Sequence, residues 1–342
     1  MNQLKDKKIL FLSVRFFGYE NVIAQRLQEW GAEVDFYDER PSNSVLTKGI
    51  IRFSKKLLNY TIKKYYRKIL EETSGRKYDF FLLIKGEAVP SFFLESFRKQ
   101  HPETEMIYYN FDSLEEYPAL KSHLPYFSSK FTFDRKDAQN YGLQFRPLFF
   151  IDDYRSENLS QKEKKYDLSF IGSAHTDRYL VGEKIKFEAE NFQLKTFFYY
   201  YTPGRTAFIL KRIFDTHFKY FDIRKVSYKK LNHSDIISIY KQSKAILDIN
   251  KPFQNGLTIR TFEVLASGRK LITTNPDIVH YPFYNPENIL VVERENINLN
   301  PDFFNSPFQN LDEKTLYMMS LDSWIECLFV KNQDSYWNTS GF

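Results

Sequence analysis

The segment LDINKPFQNGLTIRTFEVLASGRKLITTN, residues 247–275, gathers the side chains best spaced for ligand chemistry. A strand pattern ends at Ile249 and a loop with Pro252 and Gly256 follows. Apolar spacing then predicts a helix over Leu257–Ser267, ended by Gly268. A helix entered through such a loop offers free N–H groups and a positive dipole end, which suits a diphosphate. Asn255, Gly256, Leu257 and Thr258 lie at that entry, with Arg260 on the first turn. Glu263 stands about 9 Å along the axis at about 1.5 Å per residue, where a carboxylate can accept both hydroxyls of a ribose. Spacing alone gives more weight to the plainer reading, an i,i+3 surface pair of Arg260 with Glu263.

Phe170–His175 reads as a strand end, a glycine turn and a helix start, so Gly172 and Ser173 form a second phosphate cradle with Arg178 donating to it. The alternative is a cap by Ser173 or Thr176 with Arg178 solvated. Asp112 follows the apolar strand Glu105–Asn110 and is placed to take a proton from a hydroxyl. Asp112 or Ser113 reads equally as a helix cap, with Glu115 or Glu116 completing a capping box. Lys85, Gly86 and Glu87 follow the strand Tyr78–Ile84, and Arg15 and Gly18 occupy the first strand-to-helix turn. Each reads as an acceptor contact or as solvated loop. Glu87 and His175 are the other candidate catalytic groups. His175 has no spaced partner and neither HExxH nor paired cysteines occur, so no metal is expected.

The elements that must position these residues alternate. Strands are predicted at Lys8–Val14, Glu33–Tyr37, Tyr78–Ile84, Glu105–Asn110, Phe131–Phe133 and Gln144–Phe149. Between them lie helices Glu20–Trp30, Val45–Glu72 and Pro90–Gln100. Residues 151–165 turn polar and read as a linker. The alternation restarts with strands Tyr166–Ile171, Leu194–Tyr200, Lys244–Ile249, Lys270–Thr274 and Asn288–Val292. Helices are expected at Thr176–Ala189, Thr206–Phe218 and Ser234–Ser243, and a helical tail at Glu313–Phe329. The fold class is therefore α/β: two Rossmann-like domains, 1–150 and 166–312, facing across a cleft, then a tail over 313–342 that packs back across them.

A length of 342 residues, at about 150 per domain, agrees with two domains. One cysteine, Cys327, excludes a disulfide framework and suits a reducing cytosol. The net charge of +6 is local: residues 48–77 carry ten bases against Glu71 and Glu72, leaving −2 for the remainder. Those bases interleave with Ile51, Leu58, Ile62, Tyr65 and Ile69. The stripe reads as a core face with a solvated basic back or as a dock for an anionic membrane surface. No nucleic-acid motif accompanies it, and no nucleic-acid partner is expected.

The helix with Gly256, Arg260, Phe262, Glu263 and Gly268 resembles the donor-binding motif of GT-B glycosyltransferases, closest to CgeB-like and capsular or lipopolysaccharide biosynthesis transferases. YDLSFIGSAHTDRY (166–179), IYYNFDSLEEYP (107–118) and FTFDRKDAQNYGLQFRPLFF (131–150) extend the likeness over most of the chain. Many GT-B enzymes carry a second Glu eight residues before the first; Asn255 occupies that position. The resemblance implies a metal-independent transferase with no cofactor, the nucleotide-sugar being substrate. Its acceptor would be a surface glycan, lipid-linked or free, met in the cytoplasm or at the inner face of the cell membrane. Glu263 would hold the ribose. A nucleotide-sugar epimerase of the same architecture and a non-enzymatic membrane- or polyanion-binding module are the open alternatives.

Overall fold

In a computed structural model, residues 3–42, 59–158, 164–174, 177–214, 216–330 and 335–337 are described. The chain forms two units, one running to Arg146 and regaining the segment from Ile325, the other spanning Pro147–Trp324 with the C-terminal end.

In unit 1, apolar runs too long to be half exposed make the central strands, as expected where helices cover both faces of a parallel sheet. β1 (Lys8–Ser13) and β3 (Phe80–Ile84) are buried along almost their whole length. With β2 (Glu33–Asp38), β4 (Glu105–Asn110), β5 (Ser129–Thr132) and β6 (Gln144–Phe145) they form a parallel sheet ordered β2-β1-β3-β4-β5-β6. Helices α1 (Tyr19–Glu29), α2 (Asn59–Thr73), α3 (Ser91–Gln100) and α4 (Arg135–Tyr141) belong to this unit. α2 turns Ile62, Tyr66, Ile69 and Leu70 into the core and leaves Lys63, Lys64, Arg67 and Lys68 outside. The start of the predicted helix 45–72, up to residue 58, lies outside the described residues.

Unit 2 holds β7 (Tyr166–Ser173), β8 (Thr196–Tyr201), β9 (Val226–Ser227), β10 (Ser243–Asp248), β11 (Lys270–Thr273) and β12 (Ile289–Val291). All pair in parallel, in the order β12-β11-β10-β7-β8-β9. Its helices are α5 (Arg178–Asn191), α6 (Arg205–Phe214), α7 (His233–Lys241), α8 (Ile259–Ala266), α9 (Pro301–Asn305) and α10 (Glu313–Met318). The unit boundary falls inside α11 (Leu321–Phe329). The strand β9 escapes the sequence pattern because it is only two residues long.

Strand order reverses between β1 and β3 in the first sheet and between β7 and β10 in the second. Open parallel sheets take ligands at the carboxyl ends of strands flanking such a reversal. Both candidate sites lie there.

The tail departs from its predicted single helix. Phe150 N–H donates to Met319 O at 3.0 Å and Leu321 N–H to Phe150 O at 3.1 Å, a strand-like pairing that breaks the helix at Met319–Ser320. Among the described residues no helix is long and apolar enough to cross a membrane.

Candidate functional site

In unit 2 the buried strand β10 ends on Asp248, whose carboxylate is almost wholly enclosed. Thr258 Oγ1 donates to Asp248 Oδ2 at 2.6 Å, and Arg260 Nη1 lies 3.3 Å from Asp248 Oδ1. Two more guanidiniums come to the same strand end. Arg178, the first residue of α5, donates from Nε to Ile249 O at 2.7 Å. Arg294, beyond β12, donates to Asn250 O at 2.7 Å, Asn250 Oδ1 at 2.8 Å and Asp177 Oδ2 at 2.7 Å. Burial and then the charges of Arg260 and Arg294 pull the Arg178 pKa down to about 10, against Asp248 and Asp177. Burial and like charge both act against an arginine's proton, and here burial is the larger of the two. Burial also opposes the charge of Arg260, but Tyr240, Asp248 and Glu263 outweigh it and raise its pKa.

Glu263 is 4% exposed, one turn along α8 from Arg260. The Tyr154 hydroxyl donates to its carboxylate and stands 2.9 Å from His233 Nδ1. The surface-pair reading of Arg260 with Glu263 does not hold: Arg260 pairs with Asp248, and Glu263 is buried. α8 begins at Ile259, two residues later than predicted, because the Thr258 hydroxyl is turned to Asp248 and the preceding loop is tied elsewhere. Asn275 Nδ2 donates to Asn255 O at 2.9 Å and Gln254 Nε2 to Gly256 O at 2.9 Å, while Leu257 is packed inside.

In unit 1 the first sheet brings five charged groups to the ends of β2, β3 and β4. Lys85 Nζ lies 2.8 Å from Asp112 Oδ2 and 3.3 Å from Glu87 Oε2, and Arg40 Nη2 is 2.8 Å from Glu87 Oε2. Glu39, 0% exposed, accepts the Gly86 N–H at 2.7 Å. Lys85 and Gly86 both have positive φ, 69° and 83°, a turn that places the lysine among the carboxylates. For a non-glycine residue that conformation costs about 1–3 kcal/mol and persists only where its surroundings impose it. Here Tyr108 Oη donates to Lys85 O at 2.8 Å, and His123 Nε2 lies 2.8 Å from Gly86 O. Burial works against the Lys85 ammonium, but Asp112 and Glu87 more than offset it and hold its pKa above the ordinary range. Burial raises Glu87 less than Lys85 and Arg40 lower it. For Glu39 burial wins over Lys85 and Arg40, and its pKa rises to about 7.

The sequence candidates therefore separate. Arg178, Thr258, Arg260 and Glu263 assemble around Asp248, and Lys85, Glu87 and Asp112 assemble with Arg40. Asp112 faces Lys85, and Ser113 Oγ takes the Glu115 N–H at 3.2 Å, so the side chain turned to the following turn belongs to the serine. Arg15 forms a separate pair with Asp38 at 3.2 Å. Gly18, at φ 96°, precedes α1 in a conformation that favours glycine. Gly172 is no turn: it lies inside β7, where a Cβ would meet Phe170 Cζ at 2.4 Å. Ser173 ends that strand, paired with Tyr201. His175 and Thr176 lie outside the described residues. Sequence reasoning missed Glu39, Arg40, Tyr154, Asp177, Asp248, Asn250 and Arg294. Only Asp248 left a signal, an acid closing an otherwise apolar strand. Among the described residues no group of three or more His, Cys, Asp or Glu is arranged for a metal.

No protein-family model matches the chain, and no curated protein sequence matches it. Solved structures do. An alpha-glucosyltransferase in complex with UDP and a 13-mer DNA aligns at 13% identity and TM-score 0.58, covering 96% of each chain. UDP-GlcNAc 2-epimerase from Neisseria meningitidis, bound to UDP-GlcNAc, aligns at 11% and 0.56, covering 95% of this chain and all of that one. AviGT4, a glycosyltransferase of avilamycin A biosynthesis, aligns at 12% and 0.54, covering 94% of this chain and 96% of that one. At such identities the likeness establishes architecture: two Rossmann-like α/β units of the GT-B fold.

Proposed function

We propose that the protein is a glycosyltransferase that moves a sugar from a nucleotide-sugar donor to a surface-glycan acceptor, of the capsular or lipopolysaccharide kind. The observation that carries the reading is the convergence of Arg178, Arg260 and Arg294 at the strand reversal of unit 2, with Arg178 weakened first by burial and then by its neighbours' charge. A diphosphate relieves that crowding, and as a leaving group it gains negative charge there as the glycosidic bond breaks. Glu263, steadied by Tyr154, accepts the ribose hydroxyls. In unit 1, Asp112 takes the proton of the acceptor hydroxyl, with Lys85 orienting its carboxylate and Glu87 as the neighbouring acid. No metal or cofactor enters this scheme. The basic face of α2 turns toward an anionic membrane surface, where a lipid-linked acceptor is met.

The test is calorimetry with a panel of nucleoside diphosphates on wild type and Glu263→Ala, followed by incubation with the nucleotide sugar of the tightest binder. One diphosphate should bind saturably, and Glu263→Ala should weaken it by about 1.5–3 kcal/mol, the worth of hydrogen bonds to a charged group. Unchanged affinity in a folded variant overturns the Glu263 assignment. Conversion of the nucleotide sugar with no acceptor present would make the protein an epimerase.

A further inference from the structure

The segment from Arg205 to Lys225 in unit 2 has an inner and an outer face of different character. Inside, Phe208, Phe218 and Phe221 pack on one another with ring centroids 5.3–5.9 Å apart, and Tyr179 stacks on Phe221 at 3.9 Å. Outside, Ile209 and Ile213, one turn apart on α6, are 52% and 63% exposed. Tyr220 is 70% and Ile223 47% exposed. Lys225 pairs with Glu183 of α5, and one turn beyond Glu183 on the same stripe Phe187 is 62% exposed. Five of the twelve large apolar side chains exposed among the described residues thus fall on α5 and the Arg205–Lys225 segment beside it, which scattered exposure does not produce.

Charge accompanies the apolar groups. Arg205 and Arg212 stand on the Ile209–Ile213 side of α6 at helical spacing, and Lys219, Arg224 and Lys225 are exposed in the turns that follow. Residues 205–225 carry six bases against Asp215 and Asp222, a net charge of +4. A protein partner is the poorer match, because protein interfaces deplete lysine and their cores shed charge. An anionic bilayer takes both features together: aliphatic side chains enter the headgroup–acyl boundary while bases meet lipid phosphates.

We propose that the outer face of Arg205–Lys225 seats on an anionic membrane surface, with Ile209, Ile213 and Tyr220 inserted and Arg205, Arg212 and Lys219 among the phosphates. The inference does not rest on the glycosyl-transfer reading, and it concerns a different surface from the basic face of α2.

The test uses the full chain and co-sedimentation with phosphatidylglycerol-rich vesicles and with pure phosphatidylcholine vesicles. Wild type should bind the anionic vesicles and release as salt rises. Ile209→Ser/Ile213→Ser and Arg212→Gln/Lys219→Gln should each bind about tenfold or more weakly, as loss of insertion or of charge requires. Melting temperatures of both variants should match wild type, because the altered side chains are exposed. Wild-type vesicle affinity in both variants overturns the proposal, as does equal wild-type binding to neutral vesicles. If only Lys63→Gln/Lys64→Gln loses binding, the membrane contact belongs to α2 and this proposal falls while that one stands. If the isoleucine variant instead turns a dimer into a monomer in sedimentation equilibrium with vesicle binding intact, the patch joins two copies and the proposal fails.

Discussion

The two sheets carry charged side chains at the same topological place, with different balance. Around Lys85 stand three acids, Glu39, Glu87 and Asp112, and one further base, Arg40. At Asp248 three guanidiniums converge, with Asp248 and Asp177 paired to them and Glu263 one turn along α8 from Arg260. Strand reversal fixes where a ligand enters, and the local sequence fixes what sort of ligand it is. An acid-rich end suits taking a proton, whereas an arginine-rich end suits holding phosphates.

If that division is right, one substitution should silence chemistry without touching donor binding. Asp112→Asn keeps the size and polarity of the side chain but cannot take a proton. Turnover should fall by about 10²–10⁴-fold, the usual worth of a general base, with nucleoside diphosphate affinity unchanged in calorimetry. Wild-type turnover in this variant would move the proton acceptor to another group, Glu87 first.

The buried acid of unit 1, Glu39, should also appear as a pH dependence of stability. Burial lifts Glu39 from an ordinary value of 4.5 to about 7, so the folded protein holds this proton more tightly than the unfolded chain. Its contribution is complete below about pH 4.5 and is lost as pH rises through about 7, for a total of roughly 3 kcal/mol. Glu39→Gln still accepts from the Gly86 N–H and should flatten that part of the curve. Denaturant unfolding across pH 4.5–8 checks it, and an equal slope in both proteins contradicts the assignment.

In unit 2 burial and like charge together weaken the hold of Arg178 on its proton. Arg178→Gln removes one of three like charges, so the unliganded protein should melt no lower than wild type. Nucleoside diphosphate affinity should fall by about 1.5–3 kcal/mol, since a charged donor to phosphate is gone. A lower melting temperature with unchanged affinity would make Arg178 a structural residue.

What could be read in advance follows from range in sequence. Apolar runs such as Phe80–Ile84 and the helix of Phe262 and Glu263 announce themselves locally, and the α/β alternation with them. Arg294 meets Asp177 across 117 residues, and Arg40 meets Glu87 across 47, so no window reveals either. Tyr154 lies in a polar stretch that reads as linker, yet it is fully buried against His233. The tail helix breaks for the same reason: Phe150, far upstream, takes the Met319–Leu321 backbone as a partner.

Gly172 gives the smallest test and shows where the donor cluster stops. In sequence a glycine before Ser173 at a strand end looks like a phosphate cradle, and alanine there would block a ligand. In the fold it is a strand residue, and the atom a new Cβ would strike is Phe170 Cζ, at 2.4 Å. Phe170 is fully buried and packs against Phe198 and Tyr200, so its ring has little room to yield. Gly172→Ala should cost roughly 1–2 kcal/mol of stability, within the range of overpacked cores. Because the strain falls on the core side, nucleoside diphosphate affinity should stay at the wild-type value. A folded variant of wild-type stability that has lost diphosphate binding would return Gly172 to the ligand site and extend the arginine cluster to the end of β7.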